Sequence, residues 1–283
     1  MDTLNHIKNN FHFFFKNNKL GTIGGIIVIL FILIAVFAPY LVTYSPNQID
    51  LTSALKSPSK GHIFGTDNNG RDIYTRVVFG SRISLSIAFI SVTLGAIIGV
   101  TLGLLAGWFK RSEMIIMRLV DVLLSFPGII VALTIISILG TDVKNMIIAV
   151  TFSQIPQFAR LTHGQVLSVK EREFVTSSVT VGADDLWIMQ KCILPNILSS
   201  IIVQMSILIP SAIMMAASLS FLGLGVRPPT AEWGSMLQDS VKWFRMAPHM
   251  MIFPGLALML VVFGFNTLGD GLRVALDPRM KNR

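Results

Sequence analysis

Charge is the scarcest property of this chain. Only 13% of its 283 residues are Asp, Glu, Lys or Arg, about half the share carried by an ordinary soluble domain, while 52% are hydrophobic. That balance excludes a solvated globular domain and points to an integral membrane protein. Cysteine is nearly missing as well. Cys192 stands alone, so neither an intramolecular disulfide nor a thiol cluster of zinc spacing can form, and five scattered His residues do not replace one. The chain lacks G-x-x-x-x-G-K-[ST], G-x-S-x-G and H-E-x-x-H, which sets aside a P-loop, a hydrolase elbow and a zincin helix. The expectation is a non-enzymatic subunit with no cofactor of its own. The net charge of +8 does not indicate nucleic acid, because the Lys and Arg residues are dispersed between apolar segments rather than gathered on one element.

What is abundant is long apolar sequence. A bilayer core of about 30 Å needs about 20 helical residues, and six candidates of that order run over Leu20–Thr43, Ile83–Phe109, Met114–Leu139, Met146–Leu161, Ile197–Leu224 and Met250–Leu268. The first ends in "FAPY" without the cleavage pattern of a secretory signal, and is expected to be a retained anchor. The fourth carries Gln154, Pro156 and Gln157, which suits a kinked helix buried in a bundle better than one facing lipid. Gly95, Gly99, Gly103 and Gly107 recur at every fourth position, the mark of a helix face that lets a neighbour approach closely. Fourteen Lys and Arg residues fall on the side bearing both termini against nine on the other, which places both termini in the cytoplasm.

The organisation expected is therefore an all-α, six-span membrane protein. It has a cytoplasmic segment at 1–19, a first span at 20–43, an external loop at 44–82, a core at 83–269 containing a cytoplasmic loop at 162–196, and a cytoplasmic tail at 270–283. That loop holds the stretch "KEREFVTSSVTVGADDLWIMQKCILPN". Val175, Val179, Gly182, Leu186, Met189 and Ile193 follow a helical 4-3-4-3-4 spacing, the pattern of one apolar face. Gly182 is placed to end one helix with positive φ, Asp184 to cap the next, and Pro195 to stop it. Ser177, Ser178 and Gly182 then form a small-residue surface that a knob from another protein fits. The acidic residues Glu171, Glu173, Asp184 and Asp185 disfavour the alternative of an interfacial helix on an anionic leaflet.

At these residues the sequence resembles the cytoplasmic loop of permease subunits from ATP-binding-cassette importers, whose pattern stands here as Ser177, Ser178, Gly182, Leu194 and Pro195, with Ser at two positions usually Ala. The segments "FGTDNNGRDIYTRVVFGSRISLSIAF" (Phe64–Phe89), "RLVDVLLSFPG" (Arg118–Gly128), "LSFLGLGVRPPTAEWGSML" (Leu219–Leu237) and "FNTLGDGLRVALDPR" (Phe265–Arg279) are similar to the peptide and nickel branch, in the subunit with a short first external loop. The resemblance runs from about Phe11 to the C-terminus. It implies a type I importer fold in a bacterial plasma membrane, a homologous permease as heterodimer partner, two ATPase subunits that bind the ATP, and an external substrate-binding protein. It further implies that Ser177, Ser178, Gly182, Ala183, Asp184, Leu194 and Pro195 receive an ATPase subunit. Cys192, His163 and Val274 depart from the family's usual His, Arg and Asp.

Three other readings accompany this one. Asp67, Asn68, Asn69 and Asp72 could make a metal loop, but the spacing is not that of an EF-hand. A turn with capping Asp residues leading into an external helix is expected instead, with Asp67, Arg71 and Asp72 holding the loop or touching the binding protein. Arg118 and Asp121, three apart on one helix, are expected to form a structural ion pair rather than part of a proton relay, since the other apolar cores lack charged residues. His62, His163 and His249 are isolated, and Met214, Met215, Met250 and Met251 are expected to fill core space. A secondary transporter driven by an ion gradient is the main rival, and it would need the intramembrane charges that are missing.

Overall fold

The computed structural model describes residues 19–276. Ten α-helices account for about three-quarters of them, and no strand occurs among the described residues. Helix α1 is Lys19–Leu41, α2 Ile73–Trp108, α3 Lys110–Ser125, α4 Gly128–Leu139 and α5 Val143–Lys170. Helix α6 is Glu173–Thr180, α7 Asp185–Trp187, α8 Leu194–Leu219, α9 Trp233–Ser240 and α10 His249–Leu276. The expected N-terminal segment and most of the expected C-terminal tail lie outside the described residues.

Four helices are long and apolar enough to cross a membrane, or five if the bent pair α3 and α4 is one span. The expected third span is therefore not a straight rod: its halves meet at 93°. Pro127 is the cause, because its ring forces the residue before it out of the helical region, and Phe126 is extended at φ −99°, ψ 140°. The expected count of six needs α5 as well, and α5 does not qualify on composition. Its 28 residues are long enough for the crossing at about 1.5 Å per residue, but it carries the buried polar side chains Thr151, Ser153, Gln154 and Thr162. Gln154 is fully buried, and neither of its amide atoms finds a partner among the described residues.

The seam between α2 and α5 is the structural axis. At Gly99 an added Cβ would lie 2.5 Å from the Phe158 Cβ and 2.6 Å from the Ile155 carbonyl oxygen; at Gly103 it would lie 2.5 Å from the Thr162 Cβ, and at Gly107 2.6 Å from the Val166 Cβ. Gly95 meets the Gln154 Cβ at 3.0 Å. The glycine ladder on α2 thus faces Gln154, Phe158, Thr162 and Val166, a ladder of the same period on α5. In lipid, where apolar burial between helices gains little, such close backbone approach supplies the dispersion contacts that hold helices together. A second close contact joins α1 to α10, where Gly24 abuts Gly264 and Thr267.

Connections alternate between two ends. One end gathers residues 42–72, 140–142 and 220–248, as shown by His249 Nε2 at 3.2 Å from the Thr66 carbonyl and Arg227 Nε donating to Thr141 Oγ1 at 2.8 Å. The other end bears the turn at Phe109 and the 171–193 connection. There Lys170 Nζ donates to the Trp108 carbonyl at 2.8 Å and lies 4.8 Å from the centre of its ring, a cation closing the C-terminus of α2.

Candidate functional site

The loop that the sequence singles out is a helix, a tight turn and a second helix. Helix α6 ends at Thr180 with Val181 as its C-cap, and Gly182 takes φ +82°. The Gly182 N–H donates to the Val179 carbonyl at 3.0 Å and the Ala183 N–H to the Ser178 carbonyl at 3.1 Å, the paired bonds of a Schellman ending. Asp184 then accepts from the Leu186 N–H at 3.1 Å and caps α7. Both expectations for Gly182 and Asp184 are met.

Pro195 behaves otherwise. It does not stop the second helix: α7 passes through a π-helical turn at Ile188–Ile193 directly into α8. The Leu194 N–H reaches back five residues to the Met189 carbonyl, and this wider turn accommodates a proline that has no N–H to offer. The loop and the long helix α8 are consequently continuous in helical backbone.

The apolar stripe also divides. Val175, Met189 and Ile193 are buried together with Ile188, whereas Val179 and Leu186 are 52% and 60% exposed. The turn at Gly182 breaks the helical phase, so positions that would share a face on one straight helix point in two directions. Phe174, Val181 and Trp187 are exposed beside them. This apolar cap, not only the small residues, is what the loop presents. Ser177 is exposed; Ser178 is half-buried, donating to the Phe174 carbonyl at 2.8 Å, with its Oγ 3.8 Å from the Cys192 Sγ. Ala183 and Leu194 are half-buried and pack on the core, and Pro195 is exposed.

Near the same end, Asp121 pairs with Arg160 of α5 and not with Arg118, which has no ion pair among the described residues. The reason is geometric, since α3 lies across α5 and brings a second helix's cation to Asp121 from outside. His163 joins Glu113 at 3.1 Å, so two contacts tie α3 to α5. Arg160 and Glu113 carry no local signal in sequence; only the fold brings them to their partners.

At the opposite end Asp67, Arg71 and Asp72 are buried. Asp67 accepts from the Asn69 and Arg71 N–H groups at 2.8 and 2.9 Å and from Arg71 Nε at 2.6 Å. Asp72 caps α2 through the Thr75 N–H and hydroxyl at 2.8 and 2.7 Å, and it meets His62 Nδ1 at 2.9 Å. These residues hold the loop; their burial leaves them no free surface in this conformation. Sequence reasoning missed Glu232, which is 1% exposed and accepts from the Gly234 and Ser235 N–H groups at 2.9 and 2.8 Å. Burial pushes its carboxyl above the ordinary range against the pull of those two amides. Asp239, lining the same end, is likewise raised by burial, partly offset by Arg71 and Arg76.

Residues 99–282 match the family described as binding-protein-dependent transport system inner membrane component, and residues 13–58 match the N-terminal TM domain of oligopeptide transport permease C. The chain belongs to this transport permease family. The dipeptide transport system permease protein DppC of Alkalihalophilus pseudofirmus is 47% identical over 268 residues, covering 94% of this chain and 88% of that relative. The glutathione transport system permease protein GsiD of Pectobacterium atrosepticum is 45% identical over 270 residues, covering 95% and 90%. A solved structure of the MetNI methionine ABC transporter shares the fold at TM-score 0.59 and 20% identity, over 71% of this chain and 96% of that one. The permease is thus an all-α, multi-pass membrane protein with the type I importer fold. It is a non-catalytic subunit of an ATP-binding-cassette importer, a class that works with a partner permease, ATPases and a substrate-binding protein.

Proposed function

We propose that this permease forms half of a translocation pathway for short peptides in a bacterial cytoplasmic membrane, with both termini cytoplasmic. The other half is a homologous permease, two ATPase subunits supply the energy, and an external binding protein delivers the cargo. No nucleotide or other cofactor is held by the permease itself. The peptide cargo is supported by relatives named for dipeptide and glutathione transport; the nickel or other metal-chelate cargo that resemblance to the peptide and nickel branch also allows draws no support from them.

The observation that carries the coupling is the exposed apolar cap of Phe174, Val179, Val181, Leu186 and Trp187 around the Gly182 turn, mounted on a helix continuous with α8. Closure of the ATPase pair on ATP pushes this cap, and rigid-body rocking of the two permeases exchanges access from one side to the other. An equilibrium of this kind shifts only by the difference in contact energy between the two states, and an apolar cap covered in one arrangement supplies such a difference.

Co-expression of the permease with the products of its neighbouring genes tests the assignment. Recovery of a second permease and ATPase subunits, with dipeptide uptake into vesicles that depends on ATP, is the expected result. Uptake that persists without the ATPase would move the ion-gradient transporter to the front.

A further inference from the structure

The bundle has two kinds of exposed face. On α1 and α10 the exposed side chains are mostly large and apolar, among them Ile26, Leu30, Leu256, Leu260 and Phe263, as lipid requires. The side formed by α4 and α8 differs. Ser200, Gln204, Ser211 and Ser218 fall within about 40° of one another around α8, at about 100° per residue, and each is exposed or half-buried. Thr134 and Ser137 are exposed on α4. The two helices are neighbours: a Cβ on Gly128, the first residue of α4, would lie 3.3 Å from Met215 Cε, and Met215 lies on α8 between Ser211 and Ser218.

Three features make this side unfit for hydrocarbon. Gln204 is about 15 Å along α8 from Leu194 and about 22 Å from Leu219, deep within a bilayer core of about 30 Å, yet its amide has no hydrogen-bond partner among the described residues, which lipid would not tolerate cheaply. The break between α3 and α4 lies only 12 residues from the outer turn, about 18 Å, and Ser125, Phe126 and Pro127 are exposed there. No side chain caps α4, so the N–H groups that open it call for water. Arg118, seven residues before Ser125 on the same face of α3, is exposed and has no ion pair among the described residues, a costly state against lipid.

We infer that the α4–α8 strip, with the break at Pro127, is this chain's wall of the water-filled pathway, and that the backbone N–H groups of a passing peptide bond to its hydroxyls and to the Gln204 amide. Thr134 Oγ1 and Ser137 Oγ donate to the Ile130 and Leu133 carbonyls at 2.9 and 2.8 Å, and Ser218 Oγ to the Met214 carbonyl at 2.7 Å. Each hydroxyl thereby spends its donor and keeps its lone pairs free to accept. Residues 128–139 and 194–224 contain no Asp, Glu, Lys or Arg. The strip therefore exchanges hydrogen bonds with water for hydrogen bonds with the peptide, and it holds neither peptide end by charge. The inference rests on the reading of the chain as half of a pathway, and it names the surface of that half which meets the cargo.

The test uses the assembled complex in lipid vesicles, in a Cys192→Ser background, with a charged and membrane-impermeant thiol reagent present on both sides. Thr134→Cys, Gln204→Cys and Ser211→Cys on the strip are compared with Leu30→Cys on α1 and Leu260→Cys on α10. A thiol in hydrocarbon stays protonated, and each unit by which its pKa rises slows the reaction about tenfold. The strip positions should therefore react at least about tenfold faster than both controls, in the nucleotide-free or the ATP-bound complex, and Gln204→Leu should slow ATP-driven dipeptide uptake severalfold. Strip thiols as slow as the controls in both states overturn the inference, whether lipid or the partner permease covers them, and unchanged uptake by Gln204→Leu overturns the contact with cargo. Dipeptide uptake by the same vesicles separates the failures. Uptake with a slow strip sinks the wall assignment alone, and absence of uptake by a Cys192→Ser complex with active ATPase sinks the pathway reading beneath it.

Discussion

Replacing Gly99 by Ala adds one carbon to α2 at its closest approach to α5. The new Cβ would lie 2.5 Å from the Phe158 Cβ and 2.6 Å from the Ile155 carbonyl oxygen, about 1 Å inside normal carbon contact. One of those atoms is backbone, so no side-chain rotation relieves the clash and the helices must separate. A gap approaching 1 Å forfeits a quarter to a half of the dispersion energy of the atoms it parts, and overpacking of this kind costs about 1–3 kcal/mol. The better helix propensity of Ala, about 1 kcal/mol in water, returns little here, because a membrane helix stays helical when the bundle opens. A net loss of about 1–2 kcal/mol follows. Gly164→Ala is the control, since nothing lies within 4 Å of a Cβ at that exposed site on α5, and it should be neutral within about 0.5 kcal/mol. Thermal unfolding of the purified complex in detergent reads both, at about 2–4 °C per kcal/mol. Equal midpoints for the two variants would refute the close-packed seam.

Three further outcomes are expected. Asp72→Ala removes the cap of α2 and the partner of His62, and should cost about 1–2 kcal/mol in the same assay, with proteolysis between residues 42 and 72 accelerated. Asp121 and Arg160 are each more than half exposed, so a double-mutant cycle on the pair should give about 1 kcal/mol or less, and Arg118→Ala should show no coupling to Asp121. Glu232 has a folded pKa raised above its ordinary value of 4.5, so its contribution is fully present below that value and is lost as pH rises through the raised one. Stability measured against pH should therefore favour Glu232→Gln increasingly over the parent as pH rises from about 4.5, and parallel profiles would show that the carboxyl does not titrate in this way.

The helical membrane fold, the glycine ladder and the turn at Gly182 were legible in sequence because each is written in local spacing. A four-residue glycine period, a positive-φ glycine and a capping aspartate carry their geometry with them. The stripe from Val175 to Ile193 misled for the same reason: helical phase was read across a turn that resets it, so Val179 and Leu186 came out exposed. Pro195 misled because its usual effect on an α-helix is avoided by a π-turn, which depends on packing and not on the proline itself. The Asp121–Arg160 and His163–Glu113 contacts and the role of Glu232 were invisible, since each joins residues distant in sequence. The bend at Pro127 was within reach of local reasoning, as an X-Pro pair in the middle of an apolar run signals a break.

The central claim is that the cap around Gly182 is where the ATPase subunits engage, and Trp187→Asp combined with Leu186→Asp addresses it most directly. Both side chains are about half exposed or more, so charging them leaves the core intact and removes the apolar contact a partner would bury. The account predicts that the variant inserts, retains the partner permease, melts with the parent, and loses its ATPase subunits and its uptake together. ATPase subunits retained at parental stoichiometry, with uptake unchanged, would contradict it.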